Sequence, residues 1–171
     1  MKYLTFSFLT TILAFHYLPA QQSYLAECQQ KLKNSAEYTL EVAELMPEEK
    51  YDYKPTAEEM SFKEQLLHLI GNVNWLTSDY LGGKKLDKDL KKKDYTKAEV
   101  IDILKEGYAL AAEALVNFKS EQLEEPVKFF AGPMNKRQIL TLLNDHQTHH
   151  RAQMLVYLRL NGVKPPKYRG W

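Results

Sequence analysis

The run Ile139-Leu140-Thr141-Leu142-Leu143-Asn144-Asp145-His146-Gln147-Thr148-His149-His150-Arg151-Ala152-Gln153-Met154-Leu155-Val156-Tyr157-Leu158 carries its apolar residues at helical intervals. At about 100° per residue, Ile139, Leu143, His146, His150, Gln153 and Tyr157 stay within about 40° of one line and share one face. Leu140, Leu142, Met154 and Leu158 flank that line, which marks it as the face turned toward a helix bundle. The seam starts apolar and turns polar in its middle. Burying an unpartnered imidazole or amide costs on the order of 1–3 kcal/mol, so the pattern needs a cause. A metal supplies one, because histidines at i and i+4 present two nitrogens to a single ion. An ordinary hydrogen-bonded interface pair is the alternative.

Two ligands seldom complete a protein metal site, and a third is expected on another helix. His68 is the candidate, set in the apolar context Gln65-Leu66-Leu67-His68-Leu69-Ile70, with a hydrogen-bonded core histidine as the alternative. Asn72 and Trp75 follow along the same flank and Glu64 precedes it, a stripe that suits a pocket wall between helices. His149 points about 60–100° away from the seam histidines and belongs to the rim or the surface. Asn72 and Gln153 are placed to hydrogen-bond a substrate or a bound water. Asp145 or Glu64 is placed to orient a ligand imidazole. Three neutral imidazoles leave a coordination position open, the pattern of a catalytic rather than a structural site. No catalytic acid or base stands out, and no Ser-His-Asp set, glycine-rich phosphate loop or carboxylate pair is present.

Outward from this helix the chain reads as three more helices with short connections. Residues 23–46 place Leu25, Cys28, Leu32, Leu40 and Val42 at helical intervals and stop at Met46-Pro47, where proline removes a backbone donor. Ser61-Phe62-Lys63-Glu64 is a capping box opening a helix with Phe62, Leu66, Leu69, Val73, Leu76 and Tyr80 on one side, closed by Gly82-Gly83. Lys84–Asp94 is a charge run that reads as a solvated loop. Thr96-Lys97-Ala98-Glu99 is a second box, before Val100, Leu104, Tyr108, Ala111, Leu115 and Phe118. Residues 119–134 form a connection in which Val127–Phe130 is briefly extended. Asn135 with Gln138 caps the last helix, which ends at Asn161-Gly162. The fold class is all-α, a four-helix bundle.

Residues 1–20 read as a signal peptide and 21–171 as the bundle domain. Lys2 precedes the apolar run Tyr3–Phe15, and Leu18-Pro19-Ala20 offers a cleavage point before Gln21. The chain is therefore expected to be exported by a cleavable leader, with an uncleaved membrane anchor as the alternative. Of 23 basic and 22 acidic residues only Lys2 falls in the leader, so the remainder is neutral, which argues against nucleic acid as a partner. One cysteine excludes an internal disulfide and any cysteine-built zinc site, leaving the histidines to hold a metal.

Two blocks make the chain recognisable. Asp145-His146-Gln147-Thr148-His149-His150-Arg151-Ala152-Gln153-Met154, continuing through Tyr157-Leu158-Arg159-Leu160-Asn161-Gly162 to Pro165-Pro166, resembles the closing motif of the DinB/YfiT-like family. Met46-Pro47-Glu48-Glu49-Lys50-Tyr51, followed by Lys54-Pro55 and Ser61–His68, resembles its opening block. The resemblance implies an up-down-down-up bundle, often a homodimer, holding zinc or nickel through His68, His146 and His150. Relatives include thiol-dependent S-transferases and a thiol-dependent isomerase, whose thiols are mainly cytoplasmic, in contrast to the leader read here. The expected function is an exported, metal-dependent transferase or hydrolase acting on a small molecule. The alternatives are a non-catalytic metal- or ligand-binding bundle and a structural dimerisation module.

Overall fold

The computed structural model of the chain describes the side chains of residues 21–171, and the leader expected at residues 1–20 lies outside them. Four helices, α1 (Lys2–Leu45), α2 (Phe62–Tyr80), α3 (Lys97–Asn117) and α4 (Lys136–Leu160), build the bundle. Three begin where the sequence places a cap. Ser61 Oγ accepts the Glu64 N–H at 3.1 Å while a Glu64 carboxylate oxygen accepts the Ser61 N–H at 2.8 Å. Thr96 with Glu99 and Asn135 with Gln138 repeat this reciprocal box, satisfying first-turn donors that have no partner inside the helix. Gly82 (φ 77°) and Gly162 (φ 73°) take the left-handed conformation just past the ends of α2 and α4.

Side-chain contacts fix the direction of each helix. Tyr24 Oη donates to the Arg137 carbonyl at 3.2 Å and the Tyr38 ring lies 5.0 Å from the Arg151 guanidinium, so α1 and α4 run parallel. Gln29 Nε2 donates to the Leu115 carbonyl at 2.8 Å, and Lys97 Nζ donates to those of Glu44 and Met46 at 2.7 and 2.8 Å, so α1 and α3 are antiparallel. Gln65 meets Gln153 at 2.6 Å while His68 lies against His146, which sets α2 antiparallel to α4. Ile70 faces Gly107 near the middle of both helices and Gly83 faces Ala114 near their ends, so α2 and α3 are parallel. The order is up-down-down-up.

Parallel neighbours cannot be joined by a tight turn, and residues 81–95 therefore run back along α2. Asn74, buried, accepts the Leu86 N–H at 2.8 Å and donates to the Lys84 carbonyl at 2.9 Å. Leu90 then packs over Gly71, and Lys63 Nζ reaches the Tyr95 carbonyl at 3.4 Å. The charge run expected as a solvated loop keeps its lysines outside, in ion pairs such as Lys84–Glu113 (2.7 Å), but Leu86 and Leu90 anchor it to the core. Of the expected α2 seam, Phe62, Leu66, Leu69, Val73 and Leu76 are fully buried, and Tyr80 at its end is half-buried.

The all-α architecture carries one addition. Pro126–Phe129 (β1) pairs antiparallel with Gly132–Asn135 (β2), where Pro126, Gly132 and Pro133 exclude helix. Phe129 from this hairpin packs 5.6 Å from Trp75 and 5.7 Å from Tyr80. Arg151, which its place off the seam suggests as a surface or tail-pairing residue, is instead only 3% exposed and stacks on Tyr38. The tail folds back after Pro165-Pro166: Arg169 pairs with Glu37 (3.1 Å) and Glu41 (3.0 Å) of α1, and the Trp171 carbonyl accepts from Asn34. Among the described residues, no helix is long and apolar enough to cross a membrane.

At Gly107 an added Cβ meets Ile70 Cγ1 at 2.4 Å. Gly107→Ala should therefore lower unfolding free energy by about 1–3 kcal/mol in urea melts, despite a helix-propensity gain of about 1 kcal/mol. A more stable variant would show that α2 and α3 do not approach this closely.

Candidate metal centre

Because α2 and α4 are antiparallel neighbours, His68 faces residues 78 and 82 positions further along the chain. His68 lies with its ring centroid 5.0 Å from that of His146 and 4.5 Å from that of His150, and the latter two are 4.4 Å apart. One nitrogen from each ring lies within 4.8 Å of the other two. Nitrogens sharing a tetrahedral ion at about 2.0–2.1 Å sit about 3.3 Å apart, so the widest pair needs about 1.5 Å of closing, within reach of side-chain rotation. The group steps from the exposed His68 through the half-buried His146 to the buried His150.

The electrostatics favour neutral imidazoles. Burial first, then the neighbouring rings, brings His146 and His150 down from 6.5 to about 4. Burial lowers His68 as well. Each ring is therefore unprotonated at neutral pH and has a lone pair to offer. His146 Nδ1 is buried with no hydrogen-bond partner among the described residues, the state of a ring nitrogen not committed to the protein.

Sequence reasoning missed the residue that organises this group. Gln65, 1% exposed, accepts from His150 Nδ1 at 2.6 Å through its carbonyl oxygen. An amide oxygen cannot donate, so the His150 proton sits on Nδ1 and Nε2 is bare. Gln65 Nε2 donates in turn to Gln153 Oε1 at 2.6 Å, and Gln153 Nε2 donates to His149 Nε2 at 2.9 Å. The chain of donors runs in one direction from the buried ring to the exposed one. Gln65 lies one turn before His68, and a core-facing glutamine at that distance from a candidate ligand was the available signal.

The remaining expectations divide. Glu64 does not orient an imidazole: the Ser61 N–H and Lys54 Nζ, at 2.8 and 3.1 Å, hold its carboxylate at the helix start and keep it below the usual carboxylate range. Asp145 is exposed on the outer side of α4 and hydrogen-bonds no histidine among the described residues. Gln153 spends both polar ends on Gln65 and His149, and His149 is exposed at the rim, as its angle on the helix requires. Asn72 and Trp75 do line a cleft with His68, about 1020 Å³ in volume, between α2 and the returning segment 90–93.

Residues 20–170 match the DinB family. Over 128 residues the chain is 25% identical to the uncharacterized protein YjoA of Bacillus subtilis, covering 72% of this chain and 82% of that protein. The crystal structure of YjoA, a DinB-like protein, superposes with a TM-score of 0.70 at 22% identity, covering 84% of this chain and 97% of the other. A DinB-like protein from Bacillus cereus superposes at 0.73 with 20% identity, covering 82% and 95%. These likenesses bear out the bundle.

The lowered histidines link stability to pH. As pH falls from 6.5 toward 4 the unfolded chain takes up protons that folded His146 and His150 refuse, so stability present above 6.5 is lost across that window. In chelator-treated protein, chemical denaturation from pH 7 to 4 should show a shallower loss for His146→Gln/His150→Gln than for the native chain. Parallel curves would mean that the rings titrate normally.

Proposed function

This chain belongs to the DinB family, and from that premise we propose that it is an exported, metal-dependent transferase or hydrolase acting on a small molecule at His68, His146 and His150. The observation that carries the reading is the convergence of three imidazole nitrogens within 4.8 Å of one another, one of them from His68, which also lines a cleft. Their chemistry fits an ion of the zinc or nickel class: all three are neutral, His150 has its tautomer set by Gln65, and His146 has an uncommitted buried nitrogen. When bound, such an ion supplies Lewis-acid polarisation of a substrate oxygen or stabilises a substrate anion.

The chain's own residues have separate tasks. His68 belongs to both the cleft lining and the triad, so a ligand lying in the cleft would meet the triad at this ring. Gln65 and Gln153 hold His150 in place and tie it to His149, the titratable side chain that closes this hydrogen-bond chain at the surface. The leader read at residues 1–20 completes the proposal by placing the site outside the cytoplasm. A non-catalytic metal- or ligand-binding bundle is the second reading. It is favoured by one observation: among the described residues no carboxylate hydrogen-bonds any member of the triad or its amides.

Metal analysis of untagged protein should find near one ion per chain, and under about 0.1 would overturn both readings. His146→Ala should abolish uptake. Gln65→Leu should weaken zinc binding by about 10–100-fold in competition with a chelator while leaving the fold intact. A panel of group-transfer and hydrolysis substrates, with His150→Ala as control, separates enzyme from binder. N-terminal sequencing of exported protein should begin at Gln21.

A further inference from the structure

We infer that Tyr157 is a positioning residue for the three-histidine site. Its hydroxyl, tied to the Met60 carbonyl, fixes which way the Gln65 amide points and so which nitrogen of His150 is left for an ion. The consequence for metal binding rests on the reading proposed above, whereas the His150 tautomer does not.

The hydrogen bonds from His150 through Gln65 and Gln153 to His149 can run in either direction. An amide has an acceptor at one end and donors at the other, and a neutral imidazole has one of each. All four members can therefore reverse together without losing a bond. In the reversed chain His149 donates to Gln153, Gln153 donates to Gln65, and Gln65 donates to His150 Nδ1. The His150 proton then sits on Nε2, the nitrogen that an ion needs bare. No member of this chain decides between the two directions by itself.

Tyr157 breaks the tie. It lies on α4 one turn after Gln153, with its Oη 3.5 Å from Gln65 Nε2 and 3.0 Å from the Met60 carbonyl oxygen. A carbonyl cannot donate, so the Tyr157 proton is committed to Met60 and only a lone pair is turned toward Gln65. That lone pair accepts from an amide N–H and repels an amide oxygen. At 3.5 Å the attraction is weak, yet reversal would set two oxygens against each other or take the proton from Met60. The Met60 carbonyl, one residue before the α2 cap, receives no backbone N–H among the described residues, which leaves Tyr157 as its donor. Tyr157 is 3% exposed and the Tyr53 ring packs edge-on against it at 6.0 Å, which holds the hydroxyl in this position.

A hydrogen bond of ordinary net strength corresponds to about fivefold in the ratio of the two directions. Only the fraction with Nε2 bare takes the ion, so apparent zinc affinity follows that fraction. The test is Tyr157→Phe, which removes one oxygen from a buried ring. Long-range proton–nitrogen correlation spectra of the zinc-free full chain at neutral pH read the tautomer directly. His150 should be in the Nδ1–H form at about 80% or more in the native chain and at about half in Tyr157→Phe. Zinc affinity, read by competition with a chelator, should fall by about twofold with it. Tyr53→Phe, which removes a hydroxyl outside the chain, should change neither reading. In Gln65→Glu both side-chain oxygens accept, so adding Tyr157→Phe to that variant should leave zinc affinity unchanged. A native His150 protonated mainly at Nε2, or the same tautomer ratio in Tyr157→Phe as in the native chain, would overturn the inference. So would a loss of zinc affinity that persists in the Gln65→Glu background, the mark of a merely structural role. A tautomer that moves as stated in a chain that takes up no zinc refutes only the three-histidine reading.

Discussion

Everything in the site depends on one requirement: the polar groups that interrupt the α4 seam must find partners inside the bundle. Gln65 meets that requirement. Its carbonyl accepts from His150 Nδ1 and its amide N–H donates to the Gln153 carbonyl, each at 2.6 Å, so a buried imidazole and a half-buried amide are satisfied by one side chain on the facing helix. A similar arrangement lies deeper in the bundle, where Tyr108 Oη stands 3.1 Å from both Thr39 Oγ1 and Gln147 Oε1. The two networks place hydrogen-bonded groups on all four helices and hold α4 in register with α2 on one side and with α1 and α3 on the other.

The topology makes this possible. Antiparallel α2 and α4 bring a polar turn of each together, and parallel α2 and α3 oblige residues 81–95 to travel the length of α2. That returning segment covers an α2 flank that would otherwise be open to solvent, and its Leu90 becomes a wall of the cleft. The cleft is thus a by-product of the constraint on how parallel helices are connected. Gly71 and Gly107 let the neighbouring chains approach: Leu90 lies 2.9 Å from where a Cβ would stand at the first, and Ile70 2.4 Å at the second.

How much could be read beforehand differs by residue. His146 and His150 were legible because their relation lies within one helix, where spacing alone fixes a shared face. The caps at Ser61, Thr96 and Asn135 were legible for the same reason, since each involves partners three residues apart. His68 was reached by elimination and by resemblance. Gln65 was not singled out, because a lone glutamine in an apolar run has no local partner and its hydrogen bonds lie 85 and 88 residues away. Glu64 and Asp145 were assigned to the imidazoles on proximity in sequence. One is committed to its own helix start, and the other faces solvent.

The sequence by itself determined the helices, their ends, the neutrality of the domain, and the presence of inward-facing histidines on α4. These follow from periodicity and capping, which are properties of neighbouring residues. Only the tertiary structure decided that Gln65 sets the His150 tautomer, that Arg151 is buried on Tyr38, and that the 81–95 segment walls a cleft past Asn72. Those facts depend on which helix lies opposite which, and a hydrogen bond or a cavity between distant segments exists only once the helices have packed.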